Sequence, residues 1–130
     1  MPPEPRILTL SWVLLLLVGL GILGFGVAVA VYPPIAGPAA NGVWRTVGVA
    51  TAGMGLFGVA ITVWGYRQGA RWAWAVLWYY PVFWTVHLVT GLPPGTDHLH
   101  QLAFIVLSLV GLLLPVRAFF PRRPTDAGRR

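Results

Sequence analysis

Cysteine and lysine are both missing from this 130-residue chain, and only three side chains, Glu4, Asp97 and Asp126, are acidic. Without cysteine there are no disulfides, thiolate metal sites, iron–sulfur clusters or thiol redox chemistry. No carboxylate falls inside a long apolar run. Paired-carboxylate acid/base catalysis and a carboxylate relay for cation-coupled transport therefore both lack their groups. Charged residues amount to only 9% of the sequence, against about 25% in an ordinary soluble domain.

What the chain has in place of charge is apolar length. Hydrophobic residues make up 57% of it, and most lie in four uncharged stretches at roughly residues 7–32, 46–66, 72–92 and 99–116. A helix of about 20 apolar residues crosses a hydrocarbon core of about 30 Å. The expectation is an all-α fold: a four-helix transmembrane bundle forming a single domain over residues 1–120. Residues 121–130 form a polar, proline-broken basic tail, cytoplasmic and too poor in apolar surface to fold alone.

The nine basic residues are all arginines and set a net charge of +6. In a soluble protein such a balance would suggest nucleic acid. Among apolar spans the arginines read as topology determinants and contacts to anionic lipid headgroups, with no nucleic-acid partner. Arg6 precedes the first stretch, Arg67 and Arg71 lie between the second and third, and Arg117, Arg122, Arg123, Arg129 and Arg130 follow the fourth. Only Arg45 falls on the other side. The positive-inside rule then puts both termini in the cytoplasm (N-in/C-in) of a bacterial inner membrane. The outer loops run from Val31 to Gly42 and from Pro93 to Asp97. Ala28-Val29-Ala30 has the look of a signal-peptide cleavage site, but the preceding apolar run exceeds an h-region of about 7–15 residues, so the first span is expected to be retained.

Lipid supplies no hydrophobic drive between helices, so small residues mark where backbones approach closely. Gly21, Gly24 and Ala28 share one face of the first span. Thr51, Gly55, Gly58 and Thr62 share one face of the second, with Val59 on another. These small faces are expected to pack together or against the later helices. The third span is bulky, with Trp72, Trp74, Trp78, Tyr79, Tyr80, Phe83 and Trp84. Pro81 within it frees the Leu77 carbonyl and predicts a kink. Pro115 lies near the end of the fourth.

The run Gly19-Leu20-Gly21-Ile22-Leu23-Gly24 has the glycine spacing of a dinucleotide fingerprint. It lacks the preceding strand and the later acidic residue that chemistry needs, so helix packing accounts for it. The polar constellation with chemical potential lies at the outer end of the last two spans. His87 shares a face with Tyr80, Phe83 and Trp84, while Asp97, His98, His100 and Gln101 open the fourth span, and Arg45 is placed to pair with Asp97. At 1.5 Å rise per residue His87 and His100 fall at similar depth. Polar groups inside a membrane are costly and often functional. The constellation is open to a metal site, to axial haem ligation, to a quinone or similar pocket using His87 and Tyr80, or to a purely structural role. In the last, His87 bonds Gln101 or a backbone carbonyl and clasps two helices. His98 and His100, two apart, point in nearly opposite directions on a helix and do not converge on one ion.

The residues Arg67-Gln68-Gly69-Ala70-Arg71-Trp72-Ala73-Trp74, with Pro81, His87, Asp97 and Gly111-Leu112-Leu113-Leu114-Pro115, resemble small uncharacterised four-helix bacterial inner-membrane proteins. In size and layout the chain is also similar to DoxX-like proteins. The acidic and glycine motifs of the latter are not present, so no functional residue carries over. The resemblance implies a compact bundle in a bacterial inner membrane. The function expected from the sequence is that of a small multi-pass accessory or structural subunit, non-catalytic and without a cofactor, packing as a homo-oligomer or within a larger membrane complex. A haem-, metal- or quinone-binding protein and a small-solute or lipid transporter are the alternatives.

Overall fold

A computed structural model describes residues 5–33, 37–91 and 98–121. Every regular element among them is helical: α1 (Pro5–Val31), α2 (Pro38–Trp64), a 3-10 turn (Tyr66–Gln68), α3 (Arg71–Leu77), α4 (Tyr79–Thr90), α5 (Leu99–Leu113) and α6 (Val116–Phe119). The tail residues Arg122, Arg123, Arg129 and Arg130 lie outside the described residues, as does Asp97.

Two helices, over Arg6–Val31 and Ala40–Gln68, are long and apolar enough to cross a membrane. The second begins earlier than the sequence suggested, because Pro38 occupies its first turn. Proline is suited to that position, where its missing N–H would have no helical acceptor. The third stretch is not one helix. Pro81 has no N–H for the Leu77 carbonyl, and the chain breaks at Trp78 into α3, of 7 residues, and α4, of 12. Gly91 ends α4 in the left-handed conformation, with φ 66°, and its N–H reaches the carbonyls of His87 and Leu88, the closure for which glycine is favoured. The fourth stretch is cut short in the same way. Helix α5 has 15 residues and stops ahead of Pro115.

Helices α1 and α2 run antiparallel and touch backbone to backbone. Ala30, Gly26, Leu23 and Gly19 of α1 meet Gly48, Ala52, Gly55 and Val59 of α2 in that order. A Cβ added to Gly26 would collide with the Ala52 backbone nitrogen and lie 2.7 Å from its Cα. One on Gly48 would lie 2.8 Å from the Ala30 Cα, and one on Gly55 2.6 Å from the Leu23 Cα. The steps of four, three and four residues on each chain keep one narrow seam facing its partner.

The small faces read from the sequence divide between this seam and the later helices, with Gly24 in neither. Gly24 meets nothing within 4 Å, and Gly21 lies under the Phe104 ring of α5, so neither packs against α2. Val59 belongs to the seam, whereas Gly58 receives the Tyr80 ring of α4. The α1 seam is rotated from the expected one because Gly19 and Gly26, seven residues apart, recur on the same face and Gly24 does not.

The face of α1 adjoining the seam carries the buried Leu15, Val18 and Ile22. Helix α5 lies across it, with Leu15 and the Ser11 carbonyl against Gly111. Buried hydroxyls are satisfied within their own helices, Ser11 by the Ile7 carbonyl at 2.8 Å, Thr62 by Gly58 at 2.8 Å and Ser108 by Phe104 at 2.7 Å. Outward-facing side chains are as apolar as the core, including Leu17, Leu56, Phe57, Val82 and Val89.

The end of the molecule that holds the Arg67–Arg71 connection is tied by side-chain donors. Pro115 has no N–H to offer the Gly111 carbonyl four residues back, and the Tyr66 hydroxyl donates to that carbonyl at 2.5 Å instead. The next carbonyl, Leu112, accepts the Trp74 indole N–H at 2.9 Å, and Phe119, at the end of α6, accepts Arg71 Nε at 2.8 Å. Orphan carbonyls at a helix end are thus met by three side chains from the 3-10 turn and α3. The Arg67 guanidinium rests over the Trp12 ring at 5.2 Å and that of Arg71 over Phe120 at 5.3 Å.

Thermal unfolding in mild detergent tests this packing. Gly26→Leu should destabilise by about 1–3 kcal/mol or more through overpacking. Gly24→Ala should be neutral or slightly stabilising, since it relieves backbone entropy without a contact to disturb. Tyr66→Phe should cost about 1–3 kcal/mol by stranding a buried acceptor. In a Pro115→Ala background the new N–H can serve the Gly111 carbonyl, so the same change should cost under about 0.5 kcal/mol. Equal losses in the two backgrounds would show that the hydroxyl is not replacing the helical bond.

Candidate functional site

At the opposite end, α1, α4 and α5 bring together an aromatic cluster around Trp84, which is 1% exposed. The Trp84 ring stacks on Phe104 of α5 with centroids 5.0 Å apart and meets Phe25 of α1 edge-on at 6.4 Å. His87 and His100 both lie against this indole, at 5.8 and 5.9 Å, and His100 also stacks on Phe25 at 6.0 Å. The arrangement comes from spacing. Phe83, Trp84 and His87 fall on one face of α4, and His100 and Phe104, four apart, on one face of α5.

The histidines are therefore brought to one region, but as parts of an aromatic stack. His87 bonds through Nδ1 to the carbonyl of Phe83 at 2.9 Å, and its ring packs on Phe83 with centroids 4.0 Å apart. That carbonyl belongs to its own helix, so the bond orients the ring and does not clasp α4 to α5. The neutral imidazole must donate from Nδ1 to a carbonyl, which leaves Nε2 with its lone pair. Nδ1 of His98 and Nε2 of His100 are buried without a hydrogen-bond partner. His98 immediately precedes α5, and Gln101 is buried in its first turn. No three histidine or acidic side chains gather among the described residues.

Tyr80 stands apart from His87. Its hydroxyl is pressed between Gly19 and Gly58 at the crossing of α1 and α2, buried and without a hydrogen-bond partner. It lines a separate cavity of about 250 Å³ with Met54, Phe57 and Ile61. The pairing of His87 with Tyr80 around one ligand is thus not the observed geometry: seven residues place them two helical turns apart.

His87 instead opens on a cavity of about 160 Å³ between α1, α2 and α4, walled by Phe25, Trp44, Phe83 and Trp84, with Thr51. Sequence reasoning put Thr51 in the small seam and gave Trp44 and Phe25 no role. The i, i+7 spacing of Trp44 and Thr51 was the available signal. The chain matches no family model, no curated protein and no solved structure.

His87→Leu should destabilise by less than about 1 kcal/mol, because the Phe83 carbonyl keeps its bond within the α4 ladder. Trp84→Ala should cost about 3–5 kcal/mol, since it empties the centre of the ring stack. Comparable losses in thermal melts of the two variants would mean that His87 makes an essential contact outside its own helix.

Proposed function

We propose that the chain is a small polytopic integral membrane protein that acts as a non-catalytic accessory or structural subunit, packing in the bilayer against a second copy or a larger complex. The observation that carries this reading is the apolar exterior. Leu17 is 54% exposed, Phe57 70% and Val89 79%, on three different helices. Soluble monomers seldom expose contiguous apolar surface on such a scale. A core helix of a soluble protein would be mostly buried, whereas the most apolar window of each long helix is only 28% buried.

In this reading α1 and α2 are the first two spans, α3 with α4 forms a third broken at Trp78, and α5 with α6 a fourth. Both termini are cytoplasmic and the membrane is the bacterial inner membrane. Support comes from the clustering of arginines. Arg67 rests on Trp12 near the start of α1, and Arg71 binds the end of α6 beside Arg117. All three arginine side chains are exposed at this end, where they suit anionic headgroups. The packing of the half-buried His87 and His100 rings on Phe83, Trp84 and Phe25 favours a structural role over axial haem or metal ligation.

A reporter fused after Arg130 should be cytoplasmic, and one inserted within residues 39–42 should be external. Gentle solubilisation and native mass spectrometry should return a stoichiometric homo-oligomer or hetero-complex. A protein released from membranes by alkaline carbonate, the inverted reporter pattern, or a strictly monomeric species would each overturn the corresponding part of the reading.

A further inference from the structure

We propose that the cavity between α1, α2 and α4 is a binding site for a neutral, hydroxyl-bearing six-membered aromatic ring, with His87 Nε2 accepting the ring hydroxyl and the Thr51 hydroxyl as its second polar contact. The first argument is size. The cavity holds about 160 Å³, and an apolar cavity of about 150 Å³ is known to accommodate benzene. One ring fills that volume. The second argument is the wall. Phe25, Trp44, Phe83 and Trp84 supply ring faces and edges, which suit a flat aromatic guest through offset and edge-on contacts. No charged side chain lines the cavity, so the guest is uncharged.

The third argument is hydrogen bonding. Serine and threonine hydroxyls in helices commonly bond back to the carbonyl four residues earlier. Ser11, Thr46, Thr62, Thr85, Thr90 and Ser108 all do so here. Thr51 makes no such bond, and it lines the cavity. His87 donates from Nδ1 to the Phe83 carbonyl, so that in the neutral ring Nε2 is an acceptor. A cavity with a fixed acceptor, a rotatable hydroxyl and otherwise apolar walls matches a phenol. The donor is the phenolic O–H, and its oxygen can accept from Thr51. A guest without the hydroxyl would fill the same volume and leave both polar atoms unmet. The ring is either a free small phenol or the head of a phenolic lipid whose tail leaves the cavity. The site does not depend on which side of a membrane it faces or on any partner subunit.

The test uses 4-fluorophenol and the full chain in lipid nanodiscs, followed by ¹⁹F NMR, with empty nanodiscs to subtract partitioning. Saturable binding to the wild-type protein is expected, with 4-fluorotoluene about tenfold weaker, the loss of about one neutral hydrogen bond. Thr51→Val keeps the shape and should weaken 4-fluorophenol severalfold. His87→Phe should weaken it about tenfold, and neither change should affect 4-fluorotoluene. Displacement by 4-octylphenol as well as by phenol assigns the site to a lipid head, and displacement by phenol alone assigns it to a free ring. Signal that grows without saturation, or equal affinity of the wild type and Thr51→Val together with equal affinity for 4-fluorophenol and 4-fluorotoluene, would overturn the proposal.

Discussion

The backbone contact between α1 and α2 is the constraint on which the remaining structure depends. Dispersion falls off steeply with separation, and two helices with a glycine on one side of each contact at their crossing gain the closeness that lipid or water cannot give selectively. Gly26, Gly48 and Gly55 permit it because their missing Cβ positions are occupied by the other helix's backbone. The closeness of these two helices positions the others. It leaves a shallow notch at Gly19 and Gly58 that admits Tyr80, and so fixes where α4 lies. It also leaves Leu15, Val18 and Ile22 of α1 buried beside the seam, with Leu15 against Gly111 of α5.

Prolines impose a second constraint, which at Pro115 the chain answers with a side chain. Pro81 and Pro115 each remove an N–H from a helical ladder, and each is buried. An unmet carbonyl in an apolar setting is expensive. At Pro115 the answer is long-range: Tyr66 takes the Gly111 carbonyl, and Trp74 and Arg71 take Leu112 and Phe119. These bonds tie the connection after α2 to the end of the chain's helical part. The arginine that reads as a topology signal is thereby also a structural donor. Arg71 holds a carbonyl through Nε while its guanidinium lies over Phe120.

The two ends of the molecule contrast in how polar groups are used. At the arginine end each of these donors finds a carbonyl. At the Trp84 end several polar atoms have no partner, among them Nδ1 of His98 and Nε2 of His100. Aromatic packing holds that end together, with hydrogen bonding confined largely to single helices.

The helical class, the apolar stretches and the disturbances at Pro81 and Pro115 are readable along the chain, because they depend on local composition and on what proline cannot do. The disturbance at Pro81 and the gathering of arginines in three segments are legible from neighbouring residues, whereas the end of α4 at Gly91 falls inside a stretch whose apolar run continues to residue 92. The sequence also placed His87 and His100 at similar depth, which needs only a rise per residue. Tertiary structure alone decided which glycines matter, since Gly24 and Gly26 are indistinguishable in composition and differ only in helix rotation. It decided that Tyr66 serves the carbonyl orphaned by Pro115, a pairing across 45 positions that no periodicity encodes. It also decided that His87 keeps company with Thr51 and Trp44 and not with Tyr80, because a cavity is formed by the angles between helices, and those angles arise from packing that no single segment contains.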